Sequence, residues 1–214
     1  MGTRVPQIHV VIVLEELNIP YDWRILDFTG VKSESYIKIN PNGRLPAIQD
    51  PNAGITIWES GAIILYLIDE YDKDNKLSYK GAPEKYLTQQ RVFFQVSGHG
   101  PYFGQAIWFA RWHPEKIDSA IDRYVKEIDR VTGVLDLALT GRDWLVGDKC
   151  TCADLSFINW ASAGKGLLVE LGKADILEKY PNYARWIAAM GKRDVVKSVL
   201  ERVDAGWAAN NHPR

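Results

Sequence analysis

The chain is short of cysteine, with two in 214 residues, Cys150 and Cys152. Positions two apart cannot be bridged without severe strain, so a disulfide framework is excluded. Neither cysteine has further ligands at zinc spacing, and His9 and His113 have no acidic or metal partner in the sequence, so no metal site is expected. Charge of one sign is also lacking. Lys+Arg number 26 against 27 Asp+Glu, a net charge of -1, and no dense basic run occurs, which argues against a nucleic-acid partner. No apolar run is long enough to span a membrane, and the opening residues Met1 to Pro6 hold no signal-peptide core. Internal repeats and low-complexity segments are absent too. These absences leave a soluble, cytoplasmic globular protein as the expectation. Its 46% hydrophobic and 25% charged residues are close to the usual balance, and the length suffices for one large core or two small ones.

What is present is a change of pattern along the chain. Val10 to Leu17 is apolar with a polar end and is stopped by Asn18-Ile19-Pro20, which predicts a helix. Tyr21 to Leu26 alternates large apolar with polar residues and predicts a strand. Leu45 to Gln49 and Ile55 to Trp58 read as two more strands, joined by the turn sequence Asp50-Pro51-Asn52-Ala53-Gly54. Ser60 to Tyr71 places Ile63, Ile64, Leu67 and Ile68 at helical spacing. Lys73 to Glu84 is polar and reads as a linker. Beyond it everything looks helical: Tyr86 to Phe109 interrupted at Ser97 to Pro101, Glu115 to Leu139 with one apolar stripe, and Tyr183 to Lys192 behind Pro181. Thr151-Cys152-Ala153-Asp154 has the pattern of a capping box. His99, inside the interruption, reads as a satisfied structural histidine. The expected division is an α/β domain over 1–75 and an all-helical domain over 83–214.

Two neighbouring motifs carry chemistry. Pro46 follows Leu45 at a strand start, where a cis bond would leave the Leu45 N–H and C=O facing outward. Those groups can pair with an extended peptide as an added strand does. Ser60 stands at the start of the next helix, where free N–H groups and the positive dipole end favour a carboxylate. Glu59 beside it can accept from an ammonium group. A ligand with a carboxylate and an ammonium at one end and a peptide middle fits, an amino acid joined to a peptide as in glutathione. Each motif alone has a bland reading, a turn proline or a helix N-cap; the two in this order are more specific.

The runs NPNGRLPAI, WESGAIILYLIDEYD and FFQVSGHGPYFGQAIWF, with WLVGDKCTCADLSF from Trp144 to Phe157, resemble the glutathione transferases. The resemblance extends from about Val10 to about Val203 and is closest to the fungal enzymes related to the yeast prion nitrogen regulator, with the bacterial Nu-class enzymes next. It implies a thioredoxin-like N-terminal domain followed by an all-helical domain, a cytoplasmic homodimer, and glutathione as co-substrate. Leu45 and Pro46 would hold the cysteinyl backbone of glutathione, and Glu59 and Ser60 its γ-glutamyl end. Arg44 and Lys32 lie where contacts to the glycyl end are expected, although Lys32 also reads as an ordinary loop lysine. Arg123 matches an arginine that reaches the glutathione site from the helical domain, although an arginine on an amphipathic helix also reads as a solvated one. Trp108, Phe109 and Trp112 are candidates for the wall of a second-substrate pocket.

The chain departs from the family pattern at its start. Only Met1 to His9 precede the first helix, so the first strand is expected to be missing or shortened. Aligned without a gap, Pro6 falls where the subgroup has the asparagine that contacts the glutathione sulfur, and proline offers no donor. With one inserted residue, Thr3 is the nearby hydroxyl and the candidate catalytic group. A hydrogen bond to sulfur favours the reactive thiolate. Two functions follow. One is a transferase or disulfide reductase that uses bound glutathione thiolate in detoxification. The other is a non-catalytic glutathione-binding or regulatory protein that has lost thiol activation. Pocket walls come from variable helical positions, so the electrophile or disulfide is not legible.

Overall fold

The computed structural model describes residues 8–27 and 29–209. By internal contacts the chain divides into two compact units, Met1–Lys76 with Asp194–Arg214, and Leu77–Arg193.

The first unit opens with helix α1, Ile8–Glu16, in which every residue from Ile8 to Leu14 is buried. A helix apolar all round belongs inside a core. It closes where the sequence predicts: Asn18 adopts φ 54°, and Ile19 N–H donates to the Leu14 carbonyl at 2.9 Å, a left-handed C-terminal cap. A 3-10 turn, Gly30–Lys32, leads into the short helix α2, Glu34–Ile37, capped by the Ser33 hydroxyl. Strands β1, Ala47–Asp50, and β2, Ile55–Trp58, pair antiparallel with Ala47 opposite Trp58 and Asp50 opposite Ile55. The ladder starts at Ala47 rather than Leu45, because Pro46 has no N–H to contribute. Helix α3, Ser60–Tyr71, buries Ile63, Ile64 and Leu67 and packs on α1 and both strands.

One expected strand does not form. Residues 21–27 carry no regular structure, and β1 and β2 make up the only sheet among the described residues. A strand needs a neighbouring ladder for its backbone groups, and among the described residues none is at hand. The alternation holds from Tyr21 to Arg24, with Tyr21 and Trp23 half-buried and Asp22 and Arg24 exposed, and breaks at Ile25, which is 74% exposed. Side chains hold the segment instead. Tyr21 Oη and Arg202 both donate to the Glu15 carboxylate, and Arg202 lies 5.7 Å from the centre of the Trp23 ring.

The second unit is all helical, with α4 at Glu84–Phe94, α5 at Gly100–Arg111, α6 at Asp118–Ala138, α7 at Cys152–Ser156, α8 at Ile158–Glu170, α9 at Asp175–Glu178 and α10 at Pro181–Gly191. The interruption expected at Ser97 to Pro101 is a π-helical turn, Gln95–His99, so the chain never leaves the helical path between α4 and α5. Pro101 follows directly on the π-helical turn, at the start of α5. Residues 73–83 hold no helix, as a linker should, but Leu77 is fully buried and its carbonyl accepts from Cys152 N–H at 2.8 Å. The capping box forms: Asp154 accepts from Thr151 N–H and Oγ1, both at 2.8 Å, and also from Leu145 N–H and Trp186 Nε1, both at 2.9 Å.

The last helix, α11 at Asp194–Ala209, packs against α1 with Val196 and Val199 fully buried. By contacts it therefore goes with the first unit, whereas the sequence grouped 83–214 together. Chain continuity is all that the sequence offered there; an apolar helix face goes to whichever core it can cover. The architecture is a thioredoxin-like N-terminal domain with a short two-stranded sheet, followed by an all-helical domain. Among the described residues no helix is long and apolar enough to cross a membrane.

Candidate functional site

The first motif is a loop fastened from within. Asn40 is 2% exposed; its Oδ1 accepts from Asn42 N–H at 3.0 Å and its carbonyl from Gly43 N–H at 2.9 Å. These are the bonds an Asn-Pro-Asn-Gly sequence is suited to make, with Gly43 supplying φ +59°. The Arg44 carbonyl accepts twice, from Tyr36 Oη at 2.7 Å and from Asn40 Nδ2 at 2.6 Å. Leu45-Pro46 follows in the cis form. Among the described residues, neither the N–H nor the C=O of Leu45 has a hydrogen-bond partner.

Lys32 is drawn to the same loop. A methyl group on Gly43 would stand 2.8 Å from Lys32 Nζ, 3.0 Å from Ile37 Cδ1 and 3.1 Å from the Val31 carbonyl oxygen. The turn that carries Lys32 is set by Asp27, which accepts from Gly30 N–H at 2.6 Å and Thr29 Oγ1 at 2.8 Å. Those donors, Gly30 N–H foremost, hold the Asp27 carboxyl below its ordinary range. Arg44 itself is exposed. Two cationic side chains thus flank a loop whose backbone is free to pair.

The second motif meets the first through strand register. Ala47 lies opposite Trp58, so Leu45-Pro46 and Glu59-Ser60 leave the hairpin at the same end. Glu59 is the N-cap of α3 with φ 74° and ψ 117°, and among the described residues no side-chain hydrogen bond caps that helix. A non-glycine residue held at positive φ is strained, and such strain collects at functional positions. Glu59 is exposed and Ser60 half-buried. The first N–H groups of α3 are therefore available to an anion, with a carboxylate next to them for a cation.

The second unit holds the remaining candidates. Trp108 and Phe109 lie in the last turn of α5 and Trp112 directly after it. Phe109 stacks between His113, at 5.0 Å, and Tyr124, at 5.6 Å, while Trp108 is 45% exposed. Arg123, in α6, is 63% exposed and shares Glu127 with Arg130, each contact at 2.7 Å. Its guanidinium already has an acidic partner, which any ligand would have to share. Thr3 and Pro6 lie outside the described residues. His99 is fully buried, as a structural histidine should be, but it is not satisfied: neither ring nitrogen has a hydrogen-bond partner among the described residues. It packs on Phe103 at 4.4 Å and edge-on to Phe157 at 4.8 Å instead.

Known proteins resemble this chain in sequence and fold. Residues 9–70 match the glutathione S-transferase N-terminal domain and residues 100–194 the glutathione S-transferase C-terminal domain. The chain belongs to the glutathione S-transferase family. It is 46% identical over 204 residues to glutathione S-transferase 1 of Schizosaccharomyces pombe, covering 90% of this chain and 89% of that one. It is 44% identical over 203 residues to the glutathione S-transferase-like protein gedE of Aspergillus terreus, with 91% and 89% covered. The glutathione transferase URE2P6 of Phanerochaete chrysosporium, solved in complex with oxidised glutathione, superposes with a TM-score of 0.86 at 45% identity, covering 91% of this chain and 89% of that one.

Seen as part of a glutathione S-transferase, the loop and helix α2 before it also contain residues to which the sequence alone assigns no role. Tyr36 and Asn40 make the contacts that fix Arg44, and Gly43 makes room for Lys32. Asn40 could have been singled out, since asparagine two residues before a turn residue commonly bonds its own backbone. Nothing local marks Tyr36, whose partner lies eight residues along the chain.

Proposed function

We propose that the chain binds glutathione and uses its thiolate as a nucleophile, conjugating electrophiles or reducing disulfides and peroxides. The observation that carries this reading is the strand register, which brings the free backbone edge of Leu45 and the uncapped start of α3 to one end of the hairpin. A ligand reaching from one to the other needs a peptide middle and a carboxylate with an ammonium group at its end. In this reading Leu45 and Pro46 take the cysteinyl backbone, Glu59 the α-ammonium and Ser60 the α-carboxylate of the γ-glutamyl end. Arg44 and Lys32 take the glycyl carboxylate. Arg123 serves as a further cation from α6, Trp108, Phe109 and Trp112 as the apolar wall for a co-substrate, and Thr3 as the donor to sulfur.

In conjugation the thiol proton leaves to solvent, sulfur bonds to the electrophilic carbon, and the leaving group departs with its electron pair. In reduction of a mixed disulfide the thiolate attacks the glutathionyl sulfur and releases the other thiolate, forming glutathione disulfide. No cysteine of the protein is consumed, in keeping with the burial of Cys150 and Cys152. We also place the protein in the cytoplasm as a homodimer. Exposed Tyr86 and Phe93, seven residues apart on α4 at 64% and 59% exposure, support the dimer.

Titration with glutathione by calorimetry, followed by assays with a nitro-aryl halide and a mixed glutathione disulfide, tests the reading. Binding with turnover of either is the expected result. Binding without turnover would leave a glutathione-binding or regulatory protein, and no binding would end the proposal. Sedimentation of the same sample reads the dimer.

A further inference from the structure

We infer that Tyr36 and Asn40 are positioning residues for glutathione, acting through one peptide plane to aim the Leu45 N–H at the ligand. This inference rests on the glutathione reading above. The Arg44 carbonyl and the Leu45 N–H belong to the same peptide unit, and that unit is trans, since the cis bonds are at Leu45-Pro46 and Ala82-Pro83. In a trans peptide the C=O and N–H point to opposite sides of a rigid plane. Whatever fixes the carbonyl therefore fixes the direction of the N–H. Here both lone pairs of that carbonyl are taken, by Tyr36 Oη at 2.7 Å and Asn40 Nδ2 at 2.6 Å.

The two donors are themselves held. Asn40 is 2% exposed and fastened by Asn42 and Gly43, and Tyr36, from α2, is buried with it. Their grip holds the carbonyl inward, so the Leu45 N–H faces away from the loop and stays without a protein partner among the described residues. An extended peptide ligand would meet a donor already oriented, and would spend little ordering entropy on it. The chemical group recognised by that donor is the cysteinyl carbonyl of glutathione.

A double-mutant cycle between protein and ligand tests this. Calorimetry is run on the unaltered protein, Tyr36→Phe and Asn40→Ser, each with glutathione and with an analogue whose cysteinyl carbonyl is a thiocarbonyl, a poorer acceptor. Tyr36→Phe keeps the ring and removes only the hydroxyl, so it keeps the packing of the fold. Each variant should weaken glutathione binding about five- to tenfold, the worth of one buried hydrogen bond. The loss should be clearly smaller with the analogue, because the variants and the sulfur substitution damage the same contact. Unchanged affinity in both variants, or losses equal for the two ligands, would overturn the positioning role while leaving glutathione binding intact. Failure of the unaltered protein to bind glutathione would overturn the functional reading and this inference with it. Hydrogen exchange on the unaltered protein needs no variant: the Leu45 amide should exchange freely alone and slow when glutathione is added. Equal exchange in both states would also overturn the inference.

Discussion

At the scale of single residues, the site is made of conformations that few side chains tolerate. Gly43 stands at φ +59° with Lys32 Nζ against it. Gly43→Ala would pay about 1–2 kcal/mol for the left-handed backbone and push the ammonium aside. We expect a lower unfolding temperature together with weaker glutathione binding, read by thermal denaturation and calorimetry. Ser60 opens α3 without a side-chain cap above it. Ser60→Ala should cost about 1.5–3 kcal/mol of glutathione affinity, the value of a hydrogen bond to a charged group. An unchanged dissociation constant would show that the carboxylate binds elsewhere.

Between elements, two contacts decide whether the helical unit assembles. Gly164 of α8 faces Phe103 of α5 so closely that an added methyl would fall 2.2 Å from the ring. Gly164→Ala gains helix propensity yet must displace a fully buried aromatic, so a net loss of about 1–3 kcal/mol is expected from denaturant titration. Asp154 is the second contact. Its carboxyl sits above the usual carboxylate range because burial outweighs its donors, and it ties the α7 N-terminus, Leu145 and Trp186 into one buried network. Asp154→Ala strands those donors and should cost about 3–5 kcal/mol by the same measurement. The capping box was legible because its residues are three apart. Leu145 and Trp186, nine and thirty-two residues away from Asp154, were not, since the sequence does not say which distant donors fold onto a carboxylate.

For the whole molecule, two buried histidines tie stability to pH. Burial lowers the His9 pKa to about 4 and the His99 pKa to about 3, from 6.5 when exposed. Below pH 6.5 the unfolded chain takes up protons that the folded chain refuses, so stability falls as pH drops from 6.5 toward 4. Each histidine contributes a slope of about 1.4 kcal/mol per pH unit. Denaturation between pH 6.5 and 5, where carboxylates titrate little, should show this loss. His99→Phe, set among Phe103 and Phe157, should reduce the slope by about half. A slope unaltered by that replacement would mean His99 is protonated in the folded state.

The sequence by itself determined the longer helices (though not the short α2), the hairpin and its turn, and the order Leu45-Pro46 then Glu59-Ser60, because these depend on neighbours within a few residues. Asn18 ends α1 and Gly43 turns the loop for reasons written in adjacent positions. Only the tertiary structure decided that Tyr21 to Leu26 remains outside the sheet, since a strand exists by virtue of a partner that local pattern does not supply. It also decided that α11 covers α1 and that Tyr36 reaches the Arg44 carbonyl. Burial and hydrogen bonding between residues distant in sequence are settled by which surfaces meet in the folded chain, and the aim of the Leu45 N–H depends on them.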